Sequence, residues 1–232
     1  MRKFVPSALI IALVLTSLVV LPLSRTNAQA GLASSILAKM QKNQQTLRTL
    51  SADISMEKYN SQLRDSDQYS GTIKYIPVAG RSAFVRLEWT KPAHEILAIA
   101  NGAYVLYRPR LNQQIVGTTN SIKSGKDNDV LALLNMSASQ LRARFGDFQD
   151  KGEETLWGGV KAAHLKAVPK TAASYKYIEV WVDDSGMPVQ TKMVEKNDDS
   201  TTVRLSNISK NQNIDKSVFE LKLDSSVKKI KG

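Results

Sequence analysis

Two histidines, two aspartate pairs and a glycine pair are the residues of this 232-residue chain whose types could carry chemistry. His94 and His164 each stand alone in strand-like sequence, and cysteine is absent. A metal site needs several nitrogen, sulfur or carboxylate ligands at close spacing, and a nucleophilic triad needs a histidine near a serine and an acid. Neither assembles from local spacing here. Asp183-Asp184 and Asp198-Asp199 have the look of an acid–base carboxylate pair, yet both sit among Ser, Gly or Asn, the composition of a turn. Gly158-Gly159 lacks the strand-to-helix setting of a phosphate loop and reads as a hairpin. The pattern carries no signal for an enzyme, a metal or a cofactor.

Apolar rows are the alternative. Val85-Leu87-Trp89, Leu97-Ile99, Val105-Tyr107 and Ile178-Val180-Val182 recur at the two-residue period that puts side chains on one face of a strand. Such rows either close a core or line a cavity for an apolar ligand, and alternation alone favours the filled core. For the last three rows the sequence leaves open which face points inward. Val130, Leu131, Leu133 and Leu134 cluster on a short helical segment after the polar stretch Ser124–Asp129.

The elements that would position these rows follow from periodicity. Leu32, Ile36, Leu37, Met40, Leu47 and Leu50 recur at three- and four-residue steps, predicting an amphipathic helix over Gly31–Leu50. From Ser51 the period becomes two. Tyr69, Gly71, Ile73 and Tyr75 form a strand, and Asn101-Gly102 is a strong hairpin turn. Ser137-x-x-Gln140 is a capping box opening a short helix that ends near Phe145-Gly146. Strands resume from Phe148 to Ile208. The expected fold is mainly β with helices (α+β): one strongly curved antiparallel sheet, an incomplete barrel, with helices against its concave side.

The first thirty residues read as a secretory signal peptide: Met1-Arg2-Lys3, an apolar stretch from Val5 to Leu23, and Ala28-Gln29-Ala30 before Gly31. A retained membrane anchor is the rival reading, because the stretch approaches the ~20 residues of a spanning helix. Residues 31–232 are then expected to form one soluble, secreted domain held together without disulfides. The whole chain carries +11, and the remainder after Ala30 about +8. Lys and Arg are spread singly, so anionic lipid is a better partner than nucleic acid for a secreted chain.

Tyr69-Ser70-Gly71-Thr72-Ile73, Val85–Trp89, Pro92, Ile96-Leu97, Asn101-Gly102, Tyr107-Arg108-Pro109 and Gln113-Gln114, in this order, resemble the core of the periplasmic outer-membrane lipoprotein carrier family, known as LolA. Trp181–Pro188 and Asn213–Phe219 resemble that family's later strand–turn–strand and closing motif. The resemblance implies an incomplete barrel capped by helices, with a cavity that receives acyl chains and a helical lid, Val130, Leu131, Leu133 and Leu134, whose movement supplies the entrance. It implies as partners acylated lipoproteins or lipids, an inner-membrane export complex and an outer-membrane acceptor, and as function carriage of lipoproteins toward the outer membrane by a monomer. The same fold serves envelope-stress sensors and lipid binders. Where the family's carriers commonly have arginine before a proline, this chain has Ile76-Pro77, and Arg81 and Arg86 are the nearby candidates for that arginine's lid-locking role.

Overall fold

The computed structural model describes residues 25–79, 82–122 and 125–232. The apolar stretch of the expected leader lies outside them. Three helices, α1 (Arg25–Thr46), α2 (Lys126–Leu134) and α3 (Ala138–Arg144), accompany a twelve-stranded sheet. Its strands in chain order are β1 (Leu50–Asn60), β2 (Asp65–Ile76), β3 (Phe84–Lys91), β4 (Glu95–Ala100), β5 (Ala103–Arg108) and β6 (Gln113–Thr118). They continue with β7 (Phe145–Leu156), β8 (Val160–Pro169), β9 (Tyr175–Asp183), β10 (Pro188–Glu195), β11 (Ser200–Lys210) and β12 (Lys228–Lys231). The spatial order is β12-β6-β5-β4-β3-β2-β1-β11-β10-β9-β8-β7. Every pairing is antiparallel except β12 on β6. The sheet is curved and unclosed, as the residue pattern predicts.

Register settles which face looks inward. Ala52, Ile73, Leu87, Leu97 and Leu106 are successive cross-strand partners over β1 to β5, one apolar row on the concave face. Val85 and Trp89 join it from β3, and Ile99 from β4. The expected row Val105-Tyr107 lies on the other face: Val105 is the partner of Ala98 and Tyr107 of Ile96, while Tyr104 and Leu106 sit opposite Ile99 and Leu97. Every residue of β5 before Arg108 is apolar, so alternation could not choose. The Asn101-Gly102 turn does, because a two-residue hairpin pairs Ala100 with Ala103 and so fixes all later partners.

Helix α1 starts before Gly31 and stops at Thr46, and Leu50 opens β1 rather than closing the helix. Its buried stripe is Ala33, Ile36, Leu37 and Met40, while Leu32 is 54% exposed. The stop has a tertiary cause. Asn211, just past β11, accepts from the Arg48 amide at 2.8 Å and donates to the Thr46 carbonyl at 3.3 Å, taking groups that a longer helix would have used internally. The Ser137–Gln140 capping box forms as expected, but the strand after α3 begins at once, at Phe145. On the convex side the closing segment buries Phe219 against Phe84, with ring centroids 5.7 Å apart.

Gly71 sits at a β-bulge between β2 and β3. A Cβ there would overlap the Glu88 carbonyl of the neighbouring strand, so the bulge requires glycine. Gly71→Ala is expected to lower stability by about 1–3 kcal/mol, measured by denaturant unfolding.

Candidate functional site

Two apolar clusters lie on the concave face. One gathers under α2 from β1 to β5 and β11, including Leu50, Ile54, Met56, Leu87, Trp89 and Leu205. The other gathers under α1 and α3, where Ile36, Leu37, Met40 and Leu141 meet Leu165 and Val180. Between and around them runs a cleft of about 1000 Å³, at the top of the ~300–1,000 Å³ range of ligand pockets. Its sheet floor is Val85, Ile99, Ile178, Met193 and Val203, and its helical wall includes Leu131, Leu133, Met136 and Leu141. Asn128, Gln140 and Arg144 add polar groups. Leu131, Met136 and Met193 are only half-buried, so apolar surface is left for a ligand to cover.

The residues read from the sequence divide accordingly. Val85, Ile99, Ile178, Leu131 and Leu133 line the cleft. Leu97 lines a smaller neighbouring recess of about 460 Å³. Leu87, Trp89, Val180, Val182 and Val130 share the concave side but are packed as core, and Leu134 packs partly buried against it. Val105 and Tyr107 are on the convex face and take no part. Sequence reasoning missed Met193, Val203 and Met136. Met193 and Val203 face inward by register, since Met193 pairs with Ile178 and Val203 with Met56, so the pairing of β9, β10 and β11 would have found them.

Polar contacts hold α2 in place over the sheet. The indole N–H of Trp89, which is 0% exposed, donates to Asp127 Oδ1 at 2.8 Å. Lys58 pairs with Asp129 at 2.8 Å, Lys126 pairs with Glu95, and Arg108 Nε lies 3.1 Å from the other Glu95 oxygen. At the far end the Tyr75 hydroxyl donates to Asn135 Oδ1 at 3.4 Å. Arg86 does not serve this purpose: it donates to the Val218 carbonyl and pairs with Glu88 on the convex side. Arg81 lies outside the described residues. The contacts of α2 seat it on the sheet through side chains of β1, β2, β3 and β4.

The lone histidines are also accounted for. His94 Nε2 meets Glu88 at 2.9 Å, and His164 stacks on Trp181 between Glu154 and Glu179. Asp183 and Asp199 accept turn hydrogen bonds from Met187 and Ser61. Among the described residues no group of three or more His, Asp or Glu side chains is placed to hold a metal, and no helix is long and apolar enough to cross a membrane.

A curved, unclosed antiparallel sheet with helices set into its concave side and an apolar cleft between them defines a binding-protein architecture. Residues 45–222 match the family described as outer membrane lipoprotein carrier protein LolA, and the chain belongs to that family. No curated protein matches it by sequence. Among solved structures, an uncharacterized conserved protein from Thermus thermophilus superposes with a TM-score of 0.55 at 13% identity, covering 86% of this chain and 99% of that one. MucB in the Pseudomonas aeruginosa MucA/MucB complex superposes with a TM-score of 0.53 at 14% identity, covering 82% of this chain and 61% of the other. At these identities the likeness is one of fold.

The Trp89–Asp127 contact ties the core to the first turn of α2. Burial pushes the Asp127 carboxyl above the usual aspartate range; Glu95 adds to this, and Trp89, Lys126 and Arg108 oppose it. Because the folded value exceeds the unfolded one, the fold binds more protons between the two, and this group's contribution to stability falls as pH rises through the raised value. Asp127→Asn keeps an acceptor for the indole without a buried charge. Its stability relative to the native protein is expected to be highest above the raised value and to decline as pH falls toward the ordinary aspartate value of about 3.9, measured by unfolding across pH. Asp127→Ala leaves the indole unsatisfied and is expected to cost about 1–3 kcal/mol.

Proposed function

We propose that the protein is a periplasmic carrier that shields the acyl chains of lipoproteins in this cleft and moves them toward the outer membrane. The observation that carries the reading is the apolar cleft between α2, α3 and the concave face, in a chain of the lipoprotein-carrier family. The physical task is shielding. Each CH₂ costs about 0.8 kcal/mol to expose to water, so an acylated protein does not cross an aqueous compartment unaccompanied. A preformed cleft that leaves Leu131, Met136 and Met193 half-buried offers limited apolar surface and hence moderate affinity, which release requires. α2 is the lid: Leu131 and Leu133 face the cleft, and polar contacts together with the buried Val130 hold the helix down.

In this reading residues 1–30 are a cleaved leader and residues 31–232 the working domain. The protein binds rather than catalyses, takes cargo from an inner-membrane export complex and yields it to an outer-membrane acceptor. A second reading, an envelope lipid sensor with a protein partner, draws support from the fold shared with MucB, a protein solved in complex with MucA.

Protein purified from a periplasm is weighed by native mass spectrometry. An acylated protein bound one-to-one supports the carrier. Free lipid together with lipid-dependent capture of a signalling protein favours the sensor, and bare protein that takes up no acyl ligand rejects both. Ile178→Glu and Leu131→Glu, each placing a charge on the cleft wall, are expected to cut acyl uptake about tenfold or more while the protein still folds, with fluorescent fatty-acid binding and circular dichroism as readouts.

A further inference from the structure

One end of the sheet carries a row of hairpin tips that the cleft does not use. The β1–β2 tip presents Leu63, 76% exposed, with Arg64 beside it. The β5–β6 tip presents Leu111, 63% exposed, with Arg110 beside it. Between these hairpins in the sheet lies the β3–β4 turn, with exposed Lys91. Successive hairpins along this edge are separated by two strand spacings, about 10 Å.

Both leucine tips are held rigid. Asn60 Oδ1 accepts from the Gln62 and Leu63 amides at 3.1 and 2.9 Å, and Ser61 is tied to Asp199 on the neighbouring hairpin. At the other tip the Asn112 amide donates to the Pro109 carbonyl at 3.0 Å, with Asn112 at φ 45°. The Asn112 side chain and carbonyl are in turn bonded to Ser226 and Lys228 of the C-terminal segment. An exposed leucine gains nothing for folding, yet these two are pre-set in ordered turns, each next to an arginine. That pairing suits a bilayer interface, where the leucine enters the acyl region and the arginine meets phosphate.

The charges agree. Arg64, Lys91 and Arg110 enter no ion pair among the described residues, and exposed Lys228 and Lys229 lie beside the Leu111 tip. Glu88, Glu95 and Asp198 at the same end are already paired; the opposing charges near the tips are Asp65 and Asp67, Asp199 bonded to Ser61, and Asp224 bonded to Ser226.

We propose that this hairpin end is a membrane-docking surface, with Leu63 and Leu111 as anchors and Arg64, Lys91 and Arg110 selecting a bilayer rich in anionic phospholipid. It does not depend on what fills the cleft. The purified protein is sedimented with vesicles of neutral phosphatidylcholine alone or with added phosphatidylglycerol. Binding is expected to favour the anionic vesicles and to fall with salt; Leu63→Asp/Leu111→Asp is expected to reduce it about tenfold, and Arg64→Glu/Arg110→Glu to abolish the anionic preference, with acyl uptake by the cleft unchanged in both. Equal binding to both vesicle types, or anionic binding retained by both double variants, would overturn the proposal. All four side chains are exposed, so circular dichroism is expected to report a native fold for both variants.

Discussion

The rest of the structure depends on a mismatch between the width of the sheet and the helices available to cover it. Twelve strands at about 4.8 Å spacing make a concave arc of roughly 50 Å. Three helices, each about 10 Å across and two of them shorter than ten residues, cannot fill that arc. The apolar residues therefore collect in two cores, one under α2 and one under α1 and α3, and the space where the cores do not meet is the cleft. A globular core of the ordinary kind would close such a gap, because buried apolar area stabilises at about 25 cal/mol per Å². Here the gap stays open, and Leu131, Met136 and Met193 along it are left only half-buried.

Such a gap needs its edges held, and polar chemistry holds them where apolar packing stops. Asp127, Asp129 and Lys126 on the first turn of α2 engage Trp89, Lys58 and Glu95 from three different strands. The Trp89 indole and the Val130 side chain beneath the helix are fully buried, so apolar packing seats this turn together with the polar contacts. The helix faces the sheet on one side and the cleft on the other, where Leu131 and Leu133 line it.

Much of this was open to a reader of residues alone. Two-residue alternation in Val85-Leu87-Trp89, the Asn101-Gly102 turn and the Ser137–Gln140 capping box are local signals, set by pleat geometry, left-handed turn residues and helix-end hydrogen bonding, and all three reappear in the fold. The candidate site was harder. Ile178 reaches the cleft while Val180 and Val182, two and four positions on, lie under α1, although the sequence treats all three alike. Trp89 looked like an apolar lining residue and is instead fully buried, with its one polar atom in the lid contact.

Architecture was written into the order of residues: strand period, turn positions and the succession of motifs are properties of neighbours along the chain, and together they specify a curved antiparallel sheet with a helix before it and two within it. Which apolar residues face a void and which face a partner was left to the assembled fold, because that depends on where β9 to β11 curl relative to α2 and α3, elements distant in the chain. The seating of α2 was settled in the same way. Lys58, Trp89, Glu95 and Asp127 are spread over some seventy positions, and no local rule joins a polar stretch that reads as a flexible link to an indole on a strand. Their meeting reflects the cost of desolvation, which favours a fold that brings an acceptor to the buried indole donor.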